Sequence, residues 1–186
     1  MKVETTELPG VIEIVPRVFG DERGWFLETW QRGRYADHGI GPDFVQANAS
    51  SSRQGVLRGL HYQWPEPQGK LVWVSSGRVL DIAVDIRPDS PRFRQWMARE
   101  LDAERHNQLW IPEGFAHGFL VLSEQATFHY LCTRPYRAEY DSAIAWDDPD
   151  LGIEWPISNP DLSPKDGQAP RLSDIPVDRL PPCVSC

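Results

Sequence analysis

Arg58, His61, Gln63 and Lys70 stand in one sixteen-residue stretch, Gly55-Val56-Leu57-Arg58-Gly59-Leu60-His61-Tyr62-Gln63 followed by Gly69-Lys70, that otherwise reads as a strand. A solvent-facing strand has no use for a guanidinium, an imidazole, an amide and an ammonium together, and a core strand does not tolerate them. The side chains therefore line a cavity. A neutral imidazole, with a free pKa of about 6.5, removes a proton near neutral pH. A lysine ammonium stabilises an enolate oxygen as charge develops on it. A tyrosine can return the proton from the opposite face, and Tyr130 is the candidate, because Phe128, Tyr130 and Cys132 share one face of their strand. The combination suits carbanion chemistry.

Pro112-Glu113-Gly114-Phe115-Ala116-His117 matches the second half of the cupin metal signature. The first half is His-x-His followed by a glutamate, and the matching segment here is His61-Tyr62-Gln63, with Lys70 near the place of the carboxylate. An ammonium repels a divalent cation and cannot ligate while protonated. Two histidines are too few for a well-held catalytic metal, so no metal and no other cofactor is expected. His117 either braces the pocket floor or touches the ligand. Two further stretches break hydrophobic alternation with polar groups: Arg23-Gly24-Trp25-Phe26-Leu27-Glu28, and Gln46 with Asn48 on one strand face.

The elements that must position these residues are short and β-type. Residues 11–15, 24–30 and 44–49 are β-branched or aromatic runs between turn signals, and 31–39 is one short helix ended by Gly39. Residues 70–74 and 78–87 form the clearest expected hairpin, through Ser75-Ser76-Gly77. In its second arm Leu80, Ile82, Val84 and Ile86 alternate strictly with Asp81, Ala83 and Asp85. Strands follow at 97–101, 107–111, 117–122, 126–133 and 142–146. Many short strands with regular turns predict an all-β, cupin-like jelly-roll barrel. The barrel core is expected over about 10–150. From 151 to 182 the chain reads as an irregular arm over the barrel, since residues 156–182 hold seven of the 17 prolines. Residues 183–186 read as a frayed tail.

At 186 residues the chain fits a single domain. No apolar run approaches the roughly 20 residues that span a bilayer, and the N-terminus lacks a signal-peptide core. Three cysteines make no disulfide framework, and the Cys183-x-x-Cys186 pair has neither a second ligand pair nor a following helix. A cytoplasmic protein without membrane contact is expected. The net charge of −8 argues against nucleic acid as a partner. A small anionic ligand remains compatible where basic side chains converge.

Arg23-Gly24-x-Phe26-x-Glu28, Leu57-Arg58-Gly59-Leu60-His61-Tyr62-Gln63, Pro112-x-Gly114-x-x-His117-Gly118-Phe119 and the late Trp146-Asp147-Asp148-Pro149-x-Leu151-Gly152-Ile153-x-Trp155-Pro156 together resemble the dTDP-4-dehydrorhamnose 3,5-epimerase family. The resemblance runs from about Glu13 to Asp174. It implies a dTDP-4-keto-6-deoxyhexose substrate, with His61 as the base at C3 and C5, Asp166 orienting it, Lys70 stabilising the enolate and Tyr130 donating the proton. By the same resemblance Tyr136 stacks on thymine, and Arg23, Phe26, Glu28, Gln46, Asn48, Arg58, His117, Asp141 and Lys165 contact the ligand. It also implies a homodimer in which strands pair across two barrels and both chains supply pocket residues. The family commonly has glutamate where Asp141 stands. A C3-only or C5-only epimerase is the first alternative. A metal-dependent cupin oxygenase and a non-catalytic nucleotide-sugar binding module are the readings from other classes.

Overall fold

The structure is a computed structural model, and it describes residues 1–183. Its strands are β1 (Lys2–Thr5), β2 (Ile12–Val15), β3 (Val18–Asp21), β4 (Gly24–Leu27), β5 (Gln46–Arg53), β6 (Leu57–Gln63), β7 (Lys70–Ser76), β8 (Arg78–Asp85), β9 (Trp96–Asp102), β10 (Gln108–Ile111), β11 (Phe115–Val121), β12 (Gln125–Cys132) and β13 (Asp141–Ala143), with one short helix, α1 (Arg32–Ala36). One sheet has the order β1-β2-β10-β7-β12-β5, the other β13-β6-β11-β8-β9, and β3 with β4 forms a separate ribbon. This is the all-β jelly roll that the short strands and turn signals predict. No helix among the described residues is long and apolar enough to cross a membrane.

The expected hairpin of 70–74 with 78–87 does not form. β7 pairs with β10 and β12, whereas β8 pairs with β9 and β11, so the chain changes sheet at Gly77. The reason is local: Gly77 has φ +74°, and a Cβ there would lie 2.1 Å from the Gln125 carbonyl oxygen, so the backbone turns a crowded corner between sheets. Strand boundaries also shift. β5 begins at Gln46 and continues through serines to Arg53, because full pairing with β12 overrides their weak strand preference.

The alternation in β8 has an unexpected orientation. Leu80, Ile82, Val84 and Ile86 join Leu60, Tyr62, Ile144, Leu151, Leu172 and Leu180 in an apolar layer on the side covered by the C-terminal segment. Val79 and Ala83 instead join Leu109, Phe119 and Phe128 in the core between the sheets. The C-terminal segment therefore supplies the cover for one sheet, in short 3-10 turns at Asp166–Gln168, Leu172–Asp174 and Val177–Arg179. Asp148, almost fully buried, accepts the Leu172 N–H at 2.7 Å and fixes its path. Cys183, placed in the frayed tail by sequence, donates its backbone N–H to Asp89. Val184, Ser185 and Cys186, the rest of that expected tail, lie outside the described residues.

Candidate active site

A cavity of about 380 Å³ opens between the two sheets. Strands of the six-stranded sheet give it Gln46, Asn48 and Ser50 from β5, Lys70 from β7, and Phe128, Tyr130 and Cys132 from β12. The five-stranded sheet gives Arg58 and His61 from β6, His117 and Phe119 from β11, and Asp141 from β13. His61 and Tyr130 thus come from opposite walls. Tyr136 and Lys165 also line the cavity, from loops.

A regular strand would send Arg58 and His61 to opposite faces. Both reach the cavity because β6 carries an extra residue against β11: His117 pairs with His61 and Phe119 with Arg58, so three steps on one strand match two on the other. Gly59 makes the irregularity possible. Its φ is +143°, and a Cβ on it would lie 2.5 Å from the Gly118 Cα. The glycines of two separate sequence motifs therefore meet face to face. Gly59→Ala combines a strained backbone with an overpacked contact and should cost about 2–4 kcal/mol. Thermal unfolding should show Tm lowered by at least about 5 °C; an unchanged Tm would show that the crossing of β6 over β11 relaxes freely.

His61 lies with Nε2 2.5 Å from Asp166 Oδ1, and Asp166 is 3 % exposed. Burial works to raise the Asp166 carboxyl, but the bond to His61, a bond from Ser163 and the charge of Lys165 outweigh it and hold the group below its usual range. A second such pair lies beneath: His117 Nε2 is 2.9 Å from Asp81 Oδ2, both groups buried. Burial pushes the His117 imidazole down, against the pull of Asp81. The Lys70 ammonium has no hydrogen-bond or ion-pair partner among the described residues, and desolvation lowers its pKa. Burial raises the Tyr130 phenol, with the Cys132 and Asp141 charges acting in the same direction and Arg58 opposing them.

The glutamine that stands at the second histidine of the cupin pattern is spent on a loop. Gln63 Nε2 donates to the Glu66 carbonyl at 2.5 Å and the Pro135 carbonyl at 3.3 Å, while its Oε1 accepts the Arg137 N–H at 2.8 Å. Gln46 Oε1 accepts the Tyr136 N–H at 2.7 Å. The two amides hold Tyr136 at the mouth of the cavity, where its hydroxyl donates to Asp141 Oδ2 at 3.0 Å. Asp141 also accepts from Lys165. Among the described residues no group of three His, Cys, Asp or Glu side chains could hold a metal ion.

The profile of the family described as dTDP-4-dehydrorhamnose 3,5-epimerase matches residues 5–174. The chain belongs to that family. It is 50% identical over 175 residues to the dTDP-4-dehydrorhamnose 3,5-epimerase of Salmonella typhimurium, covering 92% of this chain and 96% of the relative. It is 47% identical over 175 residues to the enzyme of that name from Methanothermobacter thermautotrophicus, with 92% and 95% covered. Among solved structures, the dTDP-6-deoxy-D-glucose-3,5-epimerase of Legionella pneumophila, in complex with dTDP-4-keto-L-rhamnose, superposes with a TM-score of 0.96 at 47% identity and 99% coverage of both chains.

Three of the residues singled out by the epimerase-family motifs stay away from the cavity of their own chain. Arg23, Phe26 and Glu28 belong to the β3–β4 ribbon and its exit. Arg23 is exposed and pairs with Asp21, Glu28 pairs with Arg34, and Phe26 is 69% exposed beside Trp25 at 60%. The other ten singled-out residues that line or bound the cavity are Gln46, Asn48, Arg58, His61, Lys70, His117, Tyr130, Tyr136, Asp141 and Lys165, with Asp166 directly behind His61. Sequence reasoning missed Asp81. Its only signal was its place in the β8 alternation, where a polar position facing inward looks the same as one facing water.

Proposed function

We propose that this chain epimerises dTDP-4-dehydro-6-deoxy-D-glucose at C3 and C5 of the hexose to give dTDP-4-dehydro-L-rhamnose. The observation that carries the proposal is a carboxylate-bound histidine and a phenol facing one cavity from opposite sheets, with an unpaired ammonium in the same cavity. With Nε2–H donating to Asp166, the lone pair of His61 is on Nδ1, which takes the proton from C3 or C5. The electron pair of the broken C–H bond passes to the C4 oxygen, and Lys70 stabilises the resulting enolate. Tyr130 then delivers a proton to the other face of the same carbon, inverting it. Burial keeps Tyr130 protonated until the enolate carbon accepts. The C4 ketone of the substrate is itself the electron sink, so the reading requires no cofactor. Arg58 and Lys165 supply local positive charge for the diphosphate, and Tyr136 offers its ring to thymine. A nucleotide-sugar substrate goes with the cytoplasmic setting expected from the sequence.

The test is incubation of substrate in heavy water, with isotope entry followed by NMR at each carbon. Entry and inversion at both C3 and C5 is the expected result. Exchange at one carbon alone would assign the chain to the mono-epimerases, and dTDP binding with no exchange at either carbon would make it a binding module.

The same reading includes a homodimer. The β3–β4 ribbon exposes Val18, Phe19, Trp25 and Phe26, and β5, the edge strand that carries Gln46 and Asn48, pairs on one side only, with β12. An exposed apolar ribbon and an open strand edge are complementary needs. Docked on a partner's edge, the ribbon would bring Arg23, Phe26 and Glu28 to the partner's cavity. Sedimentation equilibrium should give twice the 21.2 kDa of one chain; a single-chain mass at micromolar concentration would remove those three residues from the site.

A further inference from the structure

Two aspartates on β8 are completely buried, and they are treated very differently. Asp85 is satisfied on both oxygens: the Arg87 guanidinium binds it at 2.8 and 2.6 Å, Ser90 Oγ donates to it at 2.6 Å, and the Arg87 N–H at 3.1 Å. Asp81 has the 2.9 Å contact of Oδ2 with His117 Nε2, and its Oδ1 has no hydrogen-bond partner among the described residues. Its strand neighbours Val79 and Ala83 belong to the apolar core. A half-satisfied carboxyl in such surroundings weakens the fold, and a stability role does not explain it.

What Asp81 does face is the floor of the active cavity. His117 sits directly across the ladder from His61, and its other side packs near the Phe128 ring at 6.0 Å. Lys70, on the opposite sheet, lines the same cavity as His117. The remaining charged and titratable groups around Lys70 are Cys132 on β12, Asp141 on β13 and Lys165 on the C-terminal segment; around His117 they are His61 and Lys70. Asp141 is already bound by Lys165 and Tyr136, so its charge is largely spent. Arg99, across from Asp81 on β9, is engaged by Glu7 and Glu13. Of the two buried carboxyls near this floor, Asp166 has the Lys165 charge beside it as well as His61, whereas among the described residues the one hydrogen-bond partner of the Asp81 carboxylate is the His117 imidazole.

We propose that Asp81 is a positioning residue for the reaction: it fixes the His117 ring from below and serves as the counter-charge of the Lys70 ammonium. The inference rests on the epimerase reading for its effect on rate, but the charge coupling itself does not. An ammonium and a carboxylate taken out of water hold each other in the charged form, and each alone reverts to neutral. With Asp81 in place, Lys70 meets the developing enolate as a cation. With asparagine in its place, the His117 contact survives in shape and Lys70 is left to desolvation.

The experiment uses NMR of the lysine side-chain ammonium groups in the ligand-free chain, which has only three lysines, Lys2, Lys70 and Lys165. In the wild-type chain Lys70 should be charged at pH 7; a neutral Lys70 at that pH overturns the proposal without any variant. In Asp81→Asn the Lys70 midpoint should fall by about one pH unit or more, as expected for loss of a near opposite charge. The alkaline limb of the heavy-water exchange rate should move down with it. At a pH above both limbs this is a loss of roughly tenfold or more. His117→Gln, which keeps the Asp81 charge, should leave the Lys70 midpoint where it was or raise it. A Lys70 midpoint unmoved in Asp81→Asn, or lowered equally in His117→Gln, overturns the proposal. If the wild-type chain exchanges neither C3 nor C5, the epimerase reading fails, while the Lys70 midpoints still decide the coupling.

Discussion

His61→Asn is expected to abolish isotope entry at both C3 and C5, with a loss of at least about 10³-fold in rate. General bases contribute about 10²–10⁴-fold, and here the same imidazole is asked to open both stereocentres. Asparagine keeps a polar group of similar reach beside Asp166 but has no basic lone pair to take a proton from carbon. The isotope label separates this loss from a binding defect, because it reports C–H cleavage whether or not the product inverts. Binding of dTDP, measured by calorimetry, should change little, since the thymine contact proposed for Tyr136 and the diphosphate contact proposed for Lys165 do not involve the His61 ring. Retention of wild-type exchange in His61→Asn would sink the proposed mechanism outright. Loss of dTDP binding along with exchange would instead show that the variant disturbs the pocket as a whole.

Tyr130→Phe should give a different failure. The base remains, so the C–H bond still breaks and the enolate still forms on the His61 side. The acid on the far wall is gone, so the proton or deuteron returns to the face it left. Isotope should then enter C3 or C5 without inversion, and net epimerisation should fall by about 10²–10⁴-fold. The decisive number is the ratio of exchange to inversion, read in one NMR experiment. A ratio that stays at the wild-type value, with both rates reduced together, would show that Tyr130 only shapes the wall. The two variants thus interrogate the two sheets separately. His61 belongs to the five-stranded sheet and Tyr130 to the six-stranded one, and each should control one half of a proton's path.

Much of this site is legible in the amino-acid sequence. Gln46 and Asn48 share a cavity face with Ser50 because a strand has a period of two, a property that survives any error in strand boundaries. The need for an irregularity at Gly59 follows from Arg58 and His61 alone, and the β6–β11 register supplies it. Where sequence and structure part, the cause is physical. The expected 70–87 hairpin rests on a short turn between two strands, and a turn of that length serves equally to pass from one sheet to the other. Asp81 and Asp85 resemble a water-facing row because alternation distinguishes two faces without saying which is wet. In this fold both are dry, one through the second sheet and one through the C-terminal segment. The β3–β4 ribbon likewise carries ligand-type residues that the chain's own cavity does not receive. Sequence shows which residues are unusual, but not that they stand outside the cavity of their own chain.

The bond between His61 and Asp166 joins residues 105 positions apart. Asp166 rides on a turn held to the barrel by the apolar layer around Leu151, Leu172 and Leu180, by the Asp148 clasp, and by backbone bonds of Asp161 to Gly55 and Leu57 and of Pro170 to Ala145. The imidazole is built into β6, while its carboxylate stands on the separate segment that covers the five-stranded sheet. Among the described residues that line the cavity only Lys165 shares that segment, so loosening it would part the His61–Asp166 pair and leave the rest of the lining on the barrel.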